Sequence, residues 1–110
     1  MIRVLAAICA AVAIGAGAFG AHVATGDAIE WLRTGAQYLL VHAAAVLWIV
    51  GRSERIAAWI LGGASLFAVT LFLMALGLPR WLGAVTPVGG LLLIGGWIAL
   101  AIHLYKGRQA

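Results

Sequence analysis

Along the chain, apolar residues gather into four long uncharged runs at residues 4–26, 34–51, 56–79 and 81–105. Every Lys, Arg, Asp and Glu falls between or beyond them. A membrane-spanning helix needs about 17–25 mostly apolar residues, so each run is long enough to cross a bilayer. The breaks leave room only for short hairpin connections. The pattern therefore predicts an all-α polytopic membrane protein, an antiparallel bundle of four transmembrane helices at approximately 4–22, 31–50, 56–78 and 82–105.

Composition strengthens this expectation. Of 110 residues, 65% are hydrophobic and 9% charged, against about 45–50% and 25% in soluble domains. So few charges cannot coat a water-facing surface, and the bilayer is the expected partner. The whole of 1–110 reads as one transmembrane domain. The formal net charge of +4 does not indicate nucleic acid, because the basic residues sit singly or in pairs at run ends and form no clustered patch. They act instead as topology determinants. Arg3, Arg52, Arg55, Lys106 and Arg108 fall on one side and Arg33 and Arg80 on the other, which predicts both termini in the cytoplasm of a cell inner membrane. Trp31 and Trp81 would mark the outer interface and Trp48 and Trp59 the inner one, while Trp97 is expected to pack within the bundle. Met1-Ile2-Arg3 ahead of an alanine-rich run has the look of a signal peptide. Its removal would strip the polar groups of the remaining spans of a fourth wall, so an uncleaved helix is expected. Cys9 is the single cysteine and reads as a small hydrophobe.

The second span differs from the others. Glu30, Arg33, Thr34, Gln37, Tyr38 and His42 recur at three- and four-residue spacings and fill about half of the helix circumference. Leu32, Leu39 and Ala43 occupy the opposite half, which can meet lipid or a neighbouring helix. At 1.5 Å per residue Gln37 lies about 10 Å and His42 about 18 Å beyond Glu30, too deep to reach water by snorkelling. Polar side chains at such depth are expected to face the bundle interior. His22 closes the segment GAFGAH on the side where the second span begins. A hydrogen-bonded cluster of His22, Arg33, Gln37 and Tyr38, with His42 deeper, is therefore expected to tie the first two helices. Arg33, being shallower, is also expected to pair with Glu30 or Asp27, or to reach the headgroups.

Lipid tails are as apolar as leucine, so helix association must come from close packing across small residues. Gly17 and Gly20 on the first helix and Gly89, Gly90 and Gly96 on the last are the candidate contact positions. Gly89, Gly96 and His103 share a face, since seven residues drift by only about 20°. Thr86-Pro87 leaves two readings of the last span, a kinked long helix or a helix that starts near Pro87 behind a short interfacial segment.

The ordered motifs GAFGAH at 17–22, W-x-x-x-x-Q-Y-x-x-x-H from Trp31 through Gln37 and Tyr38 to His42, and RWLGAVTPVGG at 80–90 resemble one family. It comprises the small four-span inner-membrane proteins of the YgdD and YwdK type, with a eukaryotic transmembrane branch. The likeness extends over nearly the whole chain. It implies the four-span topology but no activity, since the family is a domain of unknown function. Its pattern falls here on His22, Gln37, Tyr38, His42, Thr86, Pro87, Gly89 and Gly90. Leu39-Leu40 stands where members often carry a further polar residue.

No phosphate loop, nucleophile elbow or carboxylate pair is present, so no enzyme is expected and no catalytic residue is named. His22, His42 and His103 fall at three different depths and cannot converge on one metal, so neither metal nor cofactor is expected. A structural or accessory membrane component, as a homo-oligomer or within a larger membrane complex, is the leading reading. A small-solute or ion transporter or channel lined by the polar face of the second helix is the alternative.

Overall fold

The computed structural model describes residues 1–109. Four α-helices account for most of them: α1 Ile2–His22, α2 Asp27–Ile49, α3 Glu54–Ala75 and α4 Thr86–Gln109, with a 3-10 turn at Arg80–Ala84. No strand occurs among the described residues. Local chemistry sets the boundaries. Phe19 O accepts from the N–H groups of both Val23 and Ala24, ending α1. Gly26, at φ 63°, turns the chain into α2, whose first turn holds Asp27 and Glu30 against the positive end of its dipole. Ile56 N–H donates to Ser53 Oγ at 3.2 Å, capping α3. That helix ends where Leu78 N–H reaches Leu73 O and Gly77 N–H reaches Met74 O, a Schellman arrangement that needs Gly77 at φ 102°. Pro87 occupies the first turn of α4, where its missing N–H costs nothing. Of the two readings of Thr86-Pro87, the structure adopts the late helix start behind a short turn.

The helices pack in chain order. α2 lies between α1 and α3, α4 rests on α3, and α1 touches α3 only slightly. Among the described residues no close backbone approach joins α4 to α1 or α2. The result is a slab of 52 × 25 × 19 Å, more open than the compact bundle that four spans suggest. Its core is built largely of small side chains, with Ala6, Ala13, Ala43, Ala57, Ala64 and Ala68 fully or almost fully buried around Val46, Ile49 and Ile60. Small residues let the backbones approach, which is how helices hold together without a hydrophobic drive.

One end of the slab carries Arg3 beside Gly51, and His103 reaches the Arg52 carbonyl at 3.2 Å. At the other end Arg80 binds Asp27 at 2.7 Å and lies 5.2 Å from the Trp31 ring. Three segments are long and apolar enough to cross a membrane: Ile2–His22, Glu54–Ala75 and Arg80–Arg108. α2 is not among them, because Arg33, Gln37, Tyr38 and His42 dilute its apolar content.

Candidate functional site

The second helix presents two faces, and they are assigned differently from the sequence expectation. Leu32, Ala36, Leu39, Ala43 and Val46 are buried against α1 and α3. At 100° per residue, Glu30, Arg33 and Gln37 then point away from both neighbours, and all three are exposed. The expected cluster of His22, Arg33, Gln37 and Tyr38 is not formed. Arg33 instead sits 3.9 Å from Glu30 on the surface, and the alternative acid, Asp27, is taken by Arg80. His22 is exposed, and neither it nor Gln37 makes a side-chain hydrogen bond among the described residues. The reason is geometric: the apolar half of α2 covers the contact with α1, which turns the polar half outward. Beside Gln37 and Arg33, a shallow groove of about 500 Å³ follows the α1–α2 seam past Ala18 and Ala21.

His42 alone of the polar set turns inward, at 9% exposure. Its Nδ1 lies 2.6 Å from the Tyr38 carbonyl. A carbonyl oxygen can only accept, so Nδ1 carries the hydrogen in the neutral ring and Nε2 keeps a lone pair. That nitrogen has no protein partner among the described residues. The imidazole is set among aromatic rings: Tyr38 at 6.1 Å nearly parallel, Trp97 at 5.9 Å edge-on, and Phe67 stacked on Tyr38 at 4.5 Å. These rings, with Gly90 and Ile94, line a groove of about 480 Å³ between α2 and α4. It exists because α4 leans on α3 and leaves α2 uncovered on that side. Trp97, expected inside the bundle, forms part of the groove wall and is 39% exposed.

The glycines divide into two kinds. A Cβ on Gly89 would stand 2.6 Å from Phe67 N and 2.9 Å from Gly63 O, so α3 and α4 meet there backbone to backbone. Gly20 and Gly96 similarly press on Leu32 Cβ at 2.9 Å and Ile60 Cγ1 at 2.6 Å. At Gly17 and Gly90 the nearest atoms are 3.5 and 3.8 Å away, so neither position demands glycine for space.

Sequence reasoning overlooked a buried pair. Thr70 and Thr86 meet hydroxyl to hydroxyl at 2.6 Å, joining α3 to α4, and Thr70 also reaches the Leu66 and Phe67 carbonyls at 3.1 and 3.0 Å. A threonine in each of two adjacent apolar runs was the available signal, but only the helix register pairs them. Among the described residues no three metal-ligating side chains converge.

Comparison with known proteins places the chain in a family. Residues 16–90 match the model of a protein family of unknown function, DUF423. The UPF0382 inner membrane protein YgdD of Escherichia coli K12 is 35% identical, covering 96% of this chain and 90% of its own. The UPF0382 membrane protein SH2409 of Staphylococcus haemolyticus is 34% identical over 94% and 93%, and YwdK of Bacillus subtilis 31% over 94% of each. No solved structure matches. The motifs, the apolar helices and these relatives converge: the chain belongs to the DUF423, or UPF0382, family of membrane proteins, whose molecular function is unknown.

Proposed function

We propose that this protein is a structural or accessory component of the cell inner membrane, and that it works as an assembly of its own copies joined through the outward face of α2. The carrying observation is Gln37, exposed and without a hydrogen-bond partner inside the apolar zone. Its neighbour Ala36 faces Gly17, five residues short of the end of α1, or about 7 Å inside it at 1.5 Å per residue. An unpaired amide in hydrocarbon costs several kcal/mol. A second copy related by a two-fold axis along the membrane normal brings the partner's Gln37 to the same depth. Two amides, each both donor and acceptor, then satisfy one another. Glu30 and Arg33 lie on the same face with opposite charge, so each can also pair across the axis.

On this reading all four helices cross the membrane. α2 is 23 residues long, close to the 21 and 22 of its neighbours α1 and α3, and packs against both. The distribution of Arg3, Arg52, Arg55, Lys106 and Arg108 against Arg33 and Arg80 favours cytoplasmic termini. The inner membrane is taken from the name of the Escherichia coli relative.

The test uses charge. In mild detergent the Glu30→Arg copy and the Arg33→Glu copy should each fail to self-associate, and a mixture of the two should form a mixed dimer. Gln37→Leu should weaken the native dimer. A native protein that stays monomeric in lipid as well as in detergent overturns the assembly. Solute flux through proteoliposomes that falls to background in Gln37→Leu would replace it with a passage lined between copies.

A further inference from the structure

The groove between α2 and α4 is mostly apolar, yet the His42 ring, itself 9% exposed, lines it with an accessible nitrogen lone pair that meets no protein donor. We infer that this groove binds a lipid-soluble phenol of the hydroquinone type, whose O–H donates to His42 Nε2 and whose ring packs among Tyr38, Phe67 and Trp97. Each part of that ligand answers a separate feature of the site.

The tautomer comes first. With Nδ1–H committed to the Tyr38 carbonyl at 2.6 Å, neutral His42 offers Nε2 only as an acceptor, so the ligand must bring a donor. An acyl chain would fill the apolar space but leave that nitrogen unpaired. The rings supply the second requirement. Phe67, Tyr38 and Trp97 present flat faces and edges around the imidazole, and aromatic partners prefer offset-stacked or edge-on geometry over contact with a flexible chain. The route of entry supplies the third. Ile94 and Ile98 on the α4 side of the groove are 59% and 56% exposed, so the ligand arrives sideways from the hydrocarbon. His42 lies seven residues before the end of α2, about 10 Å inside it, at a depth that a membrane-dissolved molecule samples.

A second copy is a poorer occupant. At comparable depth the outward faces of α1 and α4 are aliphatic, with Ile8, Val12, Ile94 and Ile98 exposed, and bring no donor to Nε2. The polar face carrying Gln37 is assigned to the dimer on separate grounds, and the groove does not depend on that assignment.

The experiment titrates the full-length protein in lipid nanodiscs with three probes: decylhydroquinone, decylbenzene with a ring but no hydroxyl, and n-decanol with a hydroxyl but no ring. Tryptophan fluorescence and thermal unfolding are read together, and Trp97→Phe identifies the reporting indole. Saturable binding of decylhydroquinone, about tenfold tighter than either control probe, is expected. His42→Leu should weaken it about tenfold. Gly90→Leu should also weaken it by filling the groove, since its first atom has 3.8 Å of room at Phe67. His42→Gln retains an acceptor and should bind with intermediate affinity, which keeps the test usable if the leucine variant does not fold. Equal binding of all three probes, or undiminished binding in a folded His42→Leu protein, overturns the proposal. So does efficient disulfide formation between Ile94→Cys copies, which would put a second copy in the groove.

Discussion

Thr86 Oγ1 lies 2.6 Å from Thr70 Oγ1, and both residues are more than 90% buried where α4 begins against the C-terminal half of α3. The Thr70 hydroxyl has carbonyl acceptors at 3.1 and 3.0 Å, whereas the Thr86 hydroxyl has only the Leu82 carbonyl, at a longer 3.4 Å, a geometry that favours Thr86 as donor to Thr70. Thr70→Val and Thr86→Val should each destabilise the protein by about 0.5–1.5 kcal/mol. The double variant should cost little more than either single one, because both remove the same bond. Unfolding in graded SDS, followed by circular dichroism, measures all three.

Gly89 and Gly90 are adjacent but should respond in opposite ways to one methyl group. Gly89→Ala puts Cβ 2.6 Å from a backbone nitrogen of α3, and backbone cannot rotate aside. The helices must separate, at a cost of about 1–3 kcal/mol. Gly90→Ala meets only the Phe67 ring at 3.8 Å and should be neutral or slightly stabilising, since alanine favours helix by about 1 kcal/mol. The same SDS titration ranks the pair.

Cysteine labelling checks the topology. In a Cys9→Ala background, Thr25→Cys and Leu78→Cys lie at one end of the slab and Gly51→Cys and Lys106→Cys at the other, all at exposed positions. An impermeant maleimide should label the first pair in intact cells and the second only after permeabilisation. Labelling of Thr25→Cys and Gly51→Cys from the same side would mean that α2 does not cross.

The Asp27–Arg80 contact at 2.7 Å ties the α1–α2 turn to the 3-10 segment, but both side chains are well exposed, at 64% and 75%. Asp27→Asn should therefore change stability by less than about 1 kcal/mol, and the difference should vanish in high salt. A salt-independent loss would show that the pair is shielded by headgroups.

The four helices were legible as four long uncharged runs, although α2 begins at Asp27 instead of near residue 31 and α4 at Thr86 instead of near residue 82. The family resemblance was equally legible in GAFGAH and the Gln37-Tyr38 pair. The orientation of α2 was not. Periodicity identifies a polar face, but an inward face covered by the same chain and an outward face covered by another have the same pattern. Leu32, Leu39 and Ala43 took the contacts with α1 and α3, and Arg33 and Gln37 were left outside. His42 turned inward because its position on the helix is displaced toward the buried side, about 140° from Gln37 at 100° per residue. The rings around it, Phe67 and Trp97, come from α3 and α4, and their meeting depends on how far those helices slide past α2. Residue spacing within one helix carries no information on that.

Packing in chain order also has a consequence for biosynthesis. On the proposed four-span reading, each helix leaving the translocon finds a packing neighbour already in place: α2 meets α1, α3 meets α2, and α4 meets α3. α2 is the hard step, since Arg33, Gln37 and His42 resist partition into lipid. The second wall of its buried face arrives later, with α3. A nascent chain released before Ala75 would hold α2 without that wall, so on the proposed four-span reading insertion of α2 would be coupled to translation of α3.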